Sequence, residues 1–256
     1  MRRTVEFDTI APLYDETRRP PSDDEIQTLV SLFAECHTIL DAGIGTGRFA
    51  APLLAQGFDI VGVDLSVRMM ERARVKGVAS LVRADLRRLP LRTDAVEAAF
   101  MAHVLQLLAD PRDVLRELGR VSRRRVVVLL PDWSDREPRG PWRELRERYR
   151  AIAAELGYTL PERPPRYQHT VEELSALAAP LEVRSMTVPP RSDATREEWM
   201  TRWAGRWLAA SQIPPEVHAE IVRRLQAEQR ITPGIWNHPR SERFICWSAD
   251  RLRAIQ

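Results

Sequence analysis

The segment Asp41-Ala42-Gly43-Ile44-Gly45-Thr46-Gly47 lies between a short apolar run and a helical pattern, and its residue types suit a ligand cradle. Glycines at such a turn let the backbone bend tightly and approach a ligand with no Cβ in the way. The spacing is GxGxG, and Arg48 stands where the dinucleotide fingerprint GxGxxG requires its third glycine. Two acids follow at predicted strand ends. Asp64, in VGVDLS, is placed to accept both hydroxyls of a ribose, a role that S-adenosylmethionine (SAM) and NAD would both require. Asp85, in VRADLRRLPL, is placed to accept an adenine amino group, with Ala84 or Leu86 giving backbone contact. The bland alternatives are a helix cap for Asp64, ahead of a helix starting near Ser66, and a turn residue for Asp85.

These positions require strands and helices in alternation, and the chain supplies them. HTILDAG reads as a buried strand, followed by a helix at about 46–56, a strand at FDIVGVD and a helix at about 66–76. Strands at ASLVRAD and AVEAAFMA, a helix across 103–120 and a strand at RVVVLLP continue the series. Such alternation implies parallel pairing through right-handed crossovers, hence a doubly wound α/β sheet that binds ligands beyond the carboxyl ends of its strands. A capped helix with apolar positions Ile26, Leu29, Val30, Leu32 and Phe33 precedes the series. After Asp132 the pattern changes to helices at WRELRERYRAIAAELGY and HTVEELSALA around a Pro-rich stretch at Pro161, Pro164 and Pro165. LEVRSMTV and ERFICWSA read as sixth and seventh strands, with helices at ATREEWMTRWAGRWLAA and PPEVHAEIVRRLQAEQR between them.

Together, the glycine loop, Asp64, Asp85 and the following DAVEAAFMAHVLQLLADP resemble the class I SAM-dependent methyltransferases, particularly the type 11, UbiE-like small-molecule group. FDTIAPLYD resembles the FDxxAxxYD opening of that group, whose tyrosine, here Tyr14, covers the cofactor. The resemblance spans residues 7 to 131. It implies a Rossmann-like seven-stranded sheet with the last strand antiparallel, in agreement with a C-terminal strand at ERFICWSA. It further implies that Gly43, Gly45 and Gly47 line the methionine portion of SAM, Asp64 the ribose, and Asp85 with Leu86 the adenine. Asp41, Leu65, Met69 and Met101 complete the expected cofactor set. The sequence departs from the family before the fifth strand, where VSRRRVVVLL replaces the usual Pro-Gly-Gly turn.

Methyl transfer from a sulfonium is an in-line displacement, so such a protein chiefly supplies alignment and a dry pocket. Where the acceptor is a hydroxyl or an acidic carbon a base helps, and His103, directly after the fourth strand, is the best-placed histidine; His169, His238 and Asp132 are weaker candidates. The alternative is that His103 begins a helix and faces cofactor or core. Trp199, Trp203 and Trp207 recur every four residues, which makes one helix stripe, either buried face or acceptor wall. The expected organisation is one domain over 1–256: a cofactor-covering segment at 1–36, a SAM-binding core at 37–131, and helical lid insertions at 132–180 and 190–240 after strands five and six.

Composition narrows the partners. The chain has 256 residues, 44% hydrophobic and 29% charged, with no apolar stretch near the roughly 20 residues a bilayer-spanning helix needs, and the expected location is the cytoplasm. Cys36 and Cys246 stand in no CxxC or Cys/His cluster, so neither a disulfide framework nor a metal site is expected. Basic residues are almost all arginine and interleave with acids at a net charge of +3. Together with the absence of a [DN]PP[YF] motif after the fourth strand and of a Pro-Cys nucleophile, this disfavours nucleic acid and favours a small-molecule acceptor. The competing readings are a catalytically silent SAM- or S-adenosylhomocysteine-binding protein and an NAD(P) oxidoreductase. Acceptor identity and oligomeric state have no motif in the chain.

Overall fold

A computed structural model describes residues 7–16, 18–132, 141–160, 167–188, 213–228 and 240–256. In chain order these form α1 (Asp23–Leu32), β1 (Thr38–Ala42), α2 (Ala50–Ala55), β2 (Asp59–Asp64), α3 (Val67–Val75), β3 (Ser80–Arg83) and β4 (Val96–Ala102). There follow α4 (Arg112–Val121), β5 (Ser122–Pro131), α5 (Pro141–Glu155), α6 (Val171–Leu177), β6 (Glu182–Val188), α7 (Pro215–Ala227), β7 (Arg240–Ser248) and α8 (Ala249–Arg253). The strands make one sheet in the order β3-β2-β1-β4-β5-β7-β6, in which β7 runs antiparallel to both β5 and β6 and the first five strands are parallel. The expected sheet and its antiparallel last strand are thus observed.

Capping fixes where the helices start. Ser22 and Glu25 close a capping box on α1, Thr170 and Glu173 close another on α6, and Ser66 Oγ accepts the Met69 N–H on α3. The central strands are buried on both sides, as parallel strands must be. On one face Leu29, Phe33, Ile39, Phe49, Phe100 and Val127 form a core, and on the other Leu40, Met101, Leu115, Val126, Val128 and Trp247 form a second. Cys36 and Cys246, distant in sequence, enter the same core cluster as buried free thiols.

Several expected boundaries move. The helix expected from about 46 begins at Ala50, because the glycine loop runs on as turn through Phe49. The helix expected across 103–120 splits: a 3-10 turn at Leu105–Leu107 and then α4, separated at Asp110-Pro111. Proline cannot donate a helical hydrogen bond, which makes that break local in origin. α4 passes directly into β5 with no turn residues, where the family's Pro-Gly-Gly was missing. The Arg253 guanidinium does the work of that turn, donating to the carbonyls of Gly119 at 2.8 Å and Ser122 at 2.5 Å and pairing with Asp94. Gly119 admits this approach, since a Cβ there would lie 2.8 Å from both the Ala249 carbonyl and Leu252 Cβ.

The helix expected at HTVEELSALA, assigned from sequence to the insertion, packs Leu174 into the sheet core, and Trp247 donates to the Ala178 carbonyl beyond it at 2.7 Å. α5 and α7 instead build a separate small core around Tyr149, Ile152, Ile221 and Leu225, with the Tyr149 hydroxyl 2.6 Å from His218 Nδ1. The stripe at Trp199, Trp203 and Trp207 and the residue His238 lie outside the described residues.

Candidate functional site

The glycine loop follows β1 at the carboxyl edge of the sheet, where β1 pairs with β2 and β4. The N–H groups of Gly43 and Ile44 bond to the Val63 carbonyl at 2.8 and 3.0 Å, which holds the loop against β2. Gly43, Gly45 and Gly47 all have positive φ, and a Cβ on Gly43 would stand 2.5 Å from Val104 Cγ2. Gly62 in β2 has an equally local reason: a Cβ would meet Ile44 Cδ1 at 2.4 Å, so its absence lets the loop close over the strand.

Asp64 organises this corner. Its two carboxylate oxygens accept the Gly45 and Ser66 N–H groups, each at 2.9 Å, and so tie the first loop to the second. Burial pushes its pKa up, against the pull of these backbone bonds. Each oxygen keeps lone-pair capacity for a further donor.

Asp41, at 3% exposure, carries the strongest electrostatic signature in the site. Burial, then the like charge of Asp64, pushes its carboxyl up to about 7, with Arg48 opposing. No hydrogen bond joins its carboxylate to any described residue. A buried carboxylate without donors is costly unless a ligand completes it.

The remaining expected residues divide. Tyr14 is half-buried in the segment over the loop, with the Arg18 guanidinium 5.0 Å from its ring centroid. Leu65 is 43% exposed beside Asp64, available to a planar ligand group. Asp85 stands at the β3 end with both oxygens forked by Arg87, at 3.0 Å from Nε and 2.5 Å from Nη2, and Arg87 holds its pKa below the usual range. That pair is exposed and so worth under about 1 kcal/mol, which leaves the carboxylate open to a competing amino donor. Leu86 is half-buried next to it. Met69 and Met101, at 1% and 0% exposure, are packed in the interior, because the strand and helix periods turn their side chains inward.

His103 directly follows β4 with φ of 57°, a left-handed conformation uncommon outside glycine, and does not begin a helix. Its N–H bonds to the Leu129 carbonyl, its ring lies 6.4 Å from Phe49, and its Nε2 is 3.7 Å from Glu242 Oε2. Glu242, 3% exposed on β7, also faces Arg19 at 3.9 Å. No local sequence signal pointed to Glu242, since it lies 139 positions beyond His103. His169 is held by the Leu108 carbonyl at 2.9 Å and Asp132 by Arg243 at 2.6 Å, both as structural links. Asp8, Asp15, Thr46 and Lys76 were also missed as site residues, although both aspartates lie inside FDTIAPLYD.

The sheet order discriminates between the two nucleoside ligands. A dinucleotide fold runs 3-2-1-4-5-6 with parallel strands, whereas here antiparallel β7 inserts between β5 and β6. A family model described as a methyltransferase domain matches residues 40–130. Over those residues the chain is similar to the class I SAM-dependent methyltransferases. The chain is 32% identical over 148 residues to the ubiquinone/menaquinone biosynthesis C-methyltransferase UbiE of Syntrophotalea carbinolica, covering 53% of this chain and 62% of that protein. It is 31% identical over 156 residues to a malonyl-[acyl-carrier protein] O-methyltransferase of Halorhodospira halophila, covering 56% and 53%. The chain thus spans about half the length of the curated relatives it matches. A methyltransferase candidate from an antibiotic biosynthesis pathway of Anabaena variabilis shares the fold, with a TM-score of 0.61 at 16% identity over 90% of this chain and 99% of that one. Among the described residues no helix is long and apolar enough to cross a membrane.

Proposed function

We propose that this protein transfers the methyl group of SAM to a small-molecule acceptor by in-line displacement. The observation that carries the proposal is Asp41: a buried carboxylate with no donor, beside a second carboxylate and under a glycine loop, fits a ligand bearing positive charge. SAM carries a sulfonium and an α-ammonium, and when bound it supplies an already activated methyl group. The chain's residues then position it. Asp41 faces the cationic end, the loop at Gly43, Gly45 and Gly47 lets the backbone close on the methionine portion, and Asp64 accepts from the ribose. Asp85 and Leu86 flank the adenine, Leu65 covers one ring face, and Tyr14 lies across the top.

His103 takes the proton that the acceptor loses as its bond to the methyl carbon forms and the carbon–sulfur bond breaks. His103 has a left-handed backbone, and its Nε2 lies 3.7 Å from Glu242 Oε2. The relatives act on different acceptors by their names, a quinone precursor and a malonyl thioester, so neither is carried to this chain. The acceptor-binding residues are proposed to come from the segments after β5 and β6.

Titration calorimetry with SAM, S-adenosylhomocysteine and NAD tests the reading. Micromolar binding of the first two, with none of the third, supports it. Binding of NAD in place of SAM would overturn it. Transfer of isotope-labelled methyl from SAM into a small-molecule extract tests turnover, and binding without transfer would favour a silent cofactor-binding protein.

A further inference from the structure

Both aspartates of the opening segment reach across to the loops that carry the cofactor residues. The Asp8 carboxylate accepts from the Ser66 hydroxyl at 2.5 Å, and Ser66, buried at 1%, accepts the Met69 N–H in turn. This single hydroxyl therefore links the segment, the β2 loop and the start of α3. Asp15 accepts from the Thr46 hydroxyl at 2.5 Å through one oxygen and from Lys76 Nζ at 2.8 Å through the other, with Arg72 Nε at 3.5 Å. Thr46 lies between Gly45 and Gly47 and is buried at 1%. Lys76 is the single lysine of the chain, and its ammonium also reaches Thr46 Oγ1 at 3.4 Å. A third tie runs from Arg48 Nη1 to the Arg19 carbonyl at 2.9 Å.

These contacts are positioned to matter for the ligand. Thr46 is in the glycine loop, Ser66 is two residues from Asp64, and Tyr14 is the chain neighbour of Asp15. We propose that Asp8 and Asp15 form a two-point latch that clamps residues 7–16 across the glycine loop and the β2 loop, making them positioning residues for cofactor retention. The proposal rests on the SAM reading of the site. Burial alone would raise the Asp15 pKa, and the bonds from Lys76 and Thr46 outweigh it to bring it below the ordinary value, so the latch stays charged near neutral pH. The segment must swing off for a ligand held beneath Tyr14 to leave. Loss of a latch bond therefore appears in the dissociation rate.

The test uses S-adenosylhomocysteine as the probe and three variants of the full chain: Asp8→Asn with Asp15→Asn, Lys76→Gln, and Asp15→Glu. Stopped-flow dissociation is expected to quicken by roughly tenfold or more in the double variant, as charged hydrogen bonds are lost. Lys76→Gln, at a half-exposed position that leaves the core intact, gives a smaller acceleration in the same direction, and Asp15→Glu, which keeps the charge, gives less than the double Asn variant. Hydrogen–deuterium exchange of the peptide covering 7–16 is expected to rise in the ligand-free double variant with exchange of β1, β4 and β5 unchanged. Unchanged dissociation and unchanged exchange of 7–16 would overturn the latch. Failure of the wild-type protein to bind the probe would overturn the cofactor reading, and the ligand-free exchange experiment would still decide the latch.

Discussion

Replacing Asp41 by Asn should stabilise the ligand-free protein and weaken its binding of SAM, two effects of opposite sign from one atom. The folded-state pKa of Asp41 is raised from 3.8 to about 7, chiefly by burial. Between those two values the native state binds more protons than the unfolded chain, so stability falls as pH rises through the interval and stays low above it. The full cost corresponds to about 4 kcal/mol, and about 3 kcal/mol of it develops between pH 5 and pH 8. Asn keeps the shape and cannot ionise. The stability difference between variant and wild type should therefore grow by that amount over the same range, on the order of 6–12 °C in melting temperature for a chain of this size. Thermal melts at pH 5 and pH 8 measure the growth directly, because groups that titrate alike in both proteins cancel. Calorimetry at pH 8 should show SAM binding weakened by roughly 10–100-fold through loss of the charged partner. A difference that does not grow with pH, or a variant that binds SAM as tightly as wild type, would refute the argument; an aspartate retained only for structure would lower both quantities together.

Three further outcomes follow from the geometry. Gly43→Ala combines a backbone at φ of 78° with a methyl group 2.5 Å from Val104 Cγ2, and should cost about 2–4 kcal/mol in urea unfolding and displace the loop enough to abolish measurable cofactor binding. Arg253→Ala uncaps the carbonyls of Gly119 and Ser122 and frees Asp94; a loss of about 1–3 kcal/mol, with cofactor affinity unchanged, is expected from denaturant melts and calorimetry. His103→Ala should leave S-adenosylhomocysteine affinity intact and slow single-turnover methylation of a proton-bearing acceptor by roughly 10²–10⁴-fold, and an unaltered rate would remove His103 as the base.

Much of the site is legible in the chain because its parts are local. The glycine spacing, Asp64 and Asp85 each lie within a few residues of a strand end, where strand, turn and helix leave periodic marks in the sequence. Helix ends were less legible: the turn through Phe49 and the break at Pro111 shortened two expected helices, since glycine- and proline-bearing termini mimic helical periodicity without its hydrogen bonds. α6 was assigned to the insertion because sequence order placed it there, whereas Leu174 buries it in the sheet core. Met101 alternated correctly for a strand, yet which face of the strand meets the ligand is decided only once helices cover the sheet.

The sequence by itself determined the sheet and the placement of the glycine loop at its carboxyl edge, because short-range spacing and hydrophobic period encode them. Tertiary structure decided the charges. Asp41 is perturbed only because β1 is buried beside Asp64, Glu242 meets His103 only because β7 inserts next to β5, and the latch exists only where Asp8 and Asp15 meet Ser66 and Thr46 across the fold. Each of these is a contact between groups distant in sequence, and its energy depends on desolvation, a property of the packed molecule and not of any segment read alone.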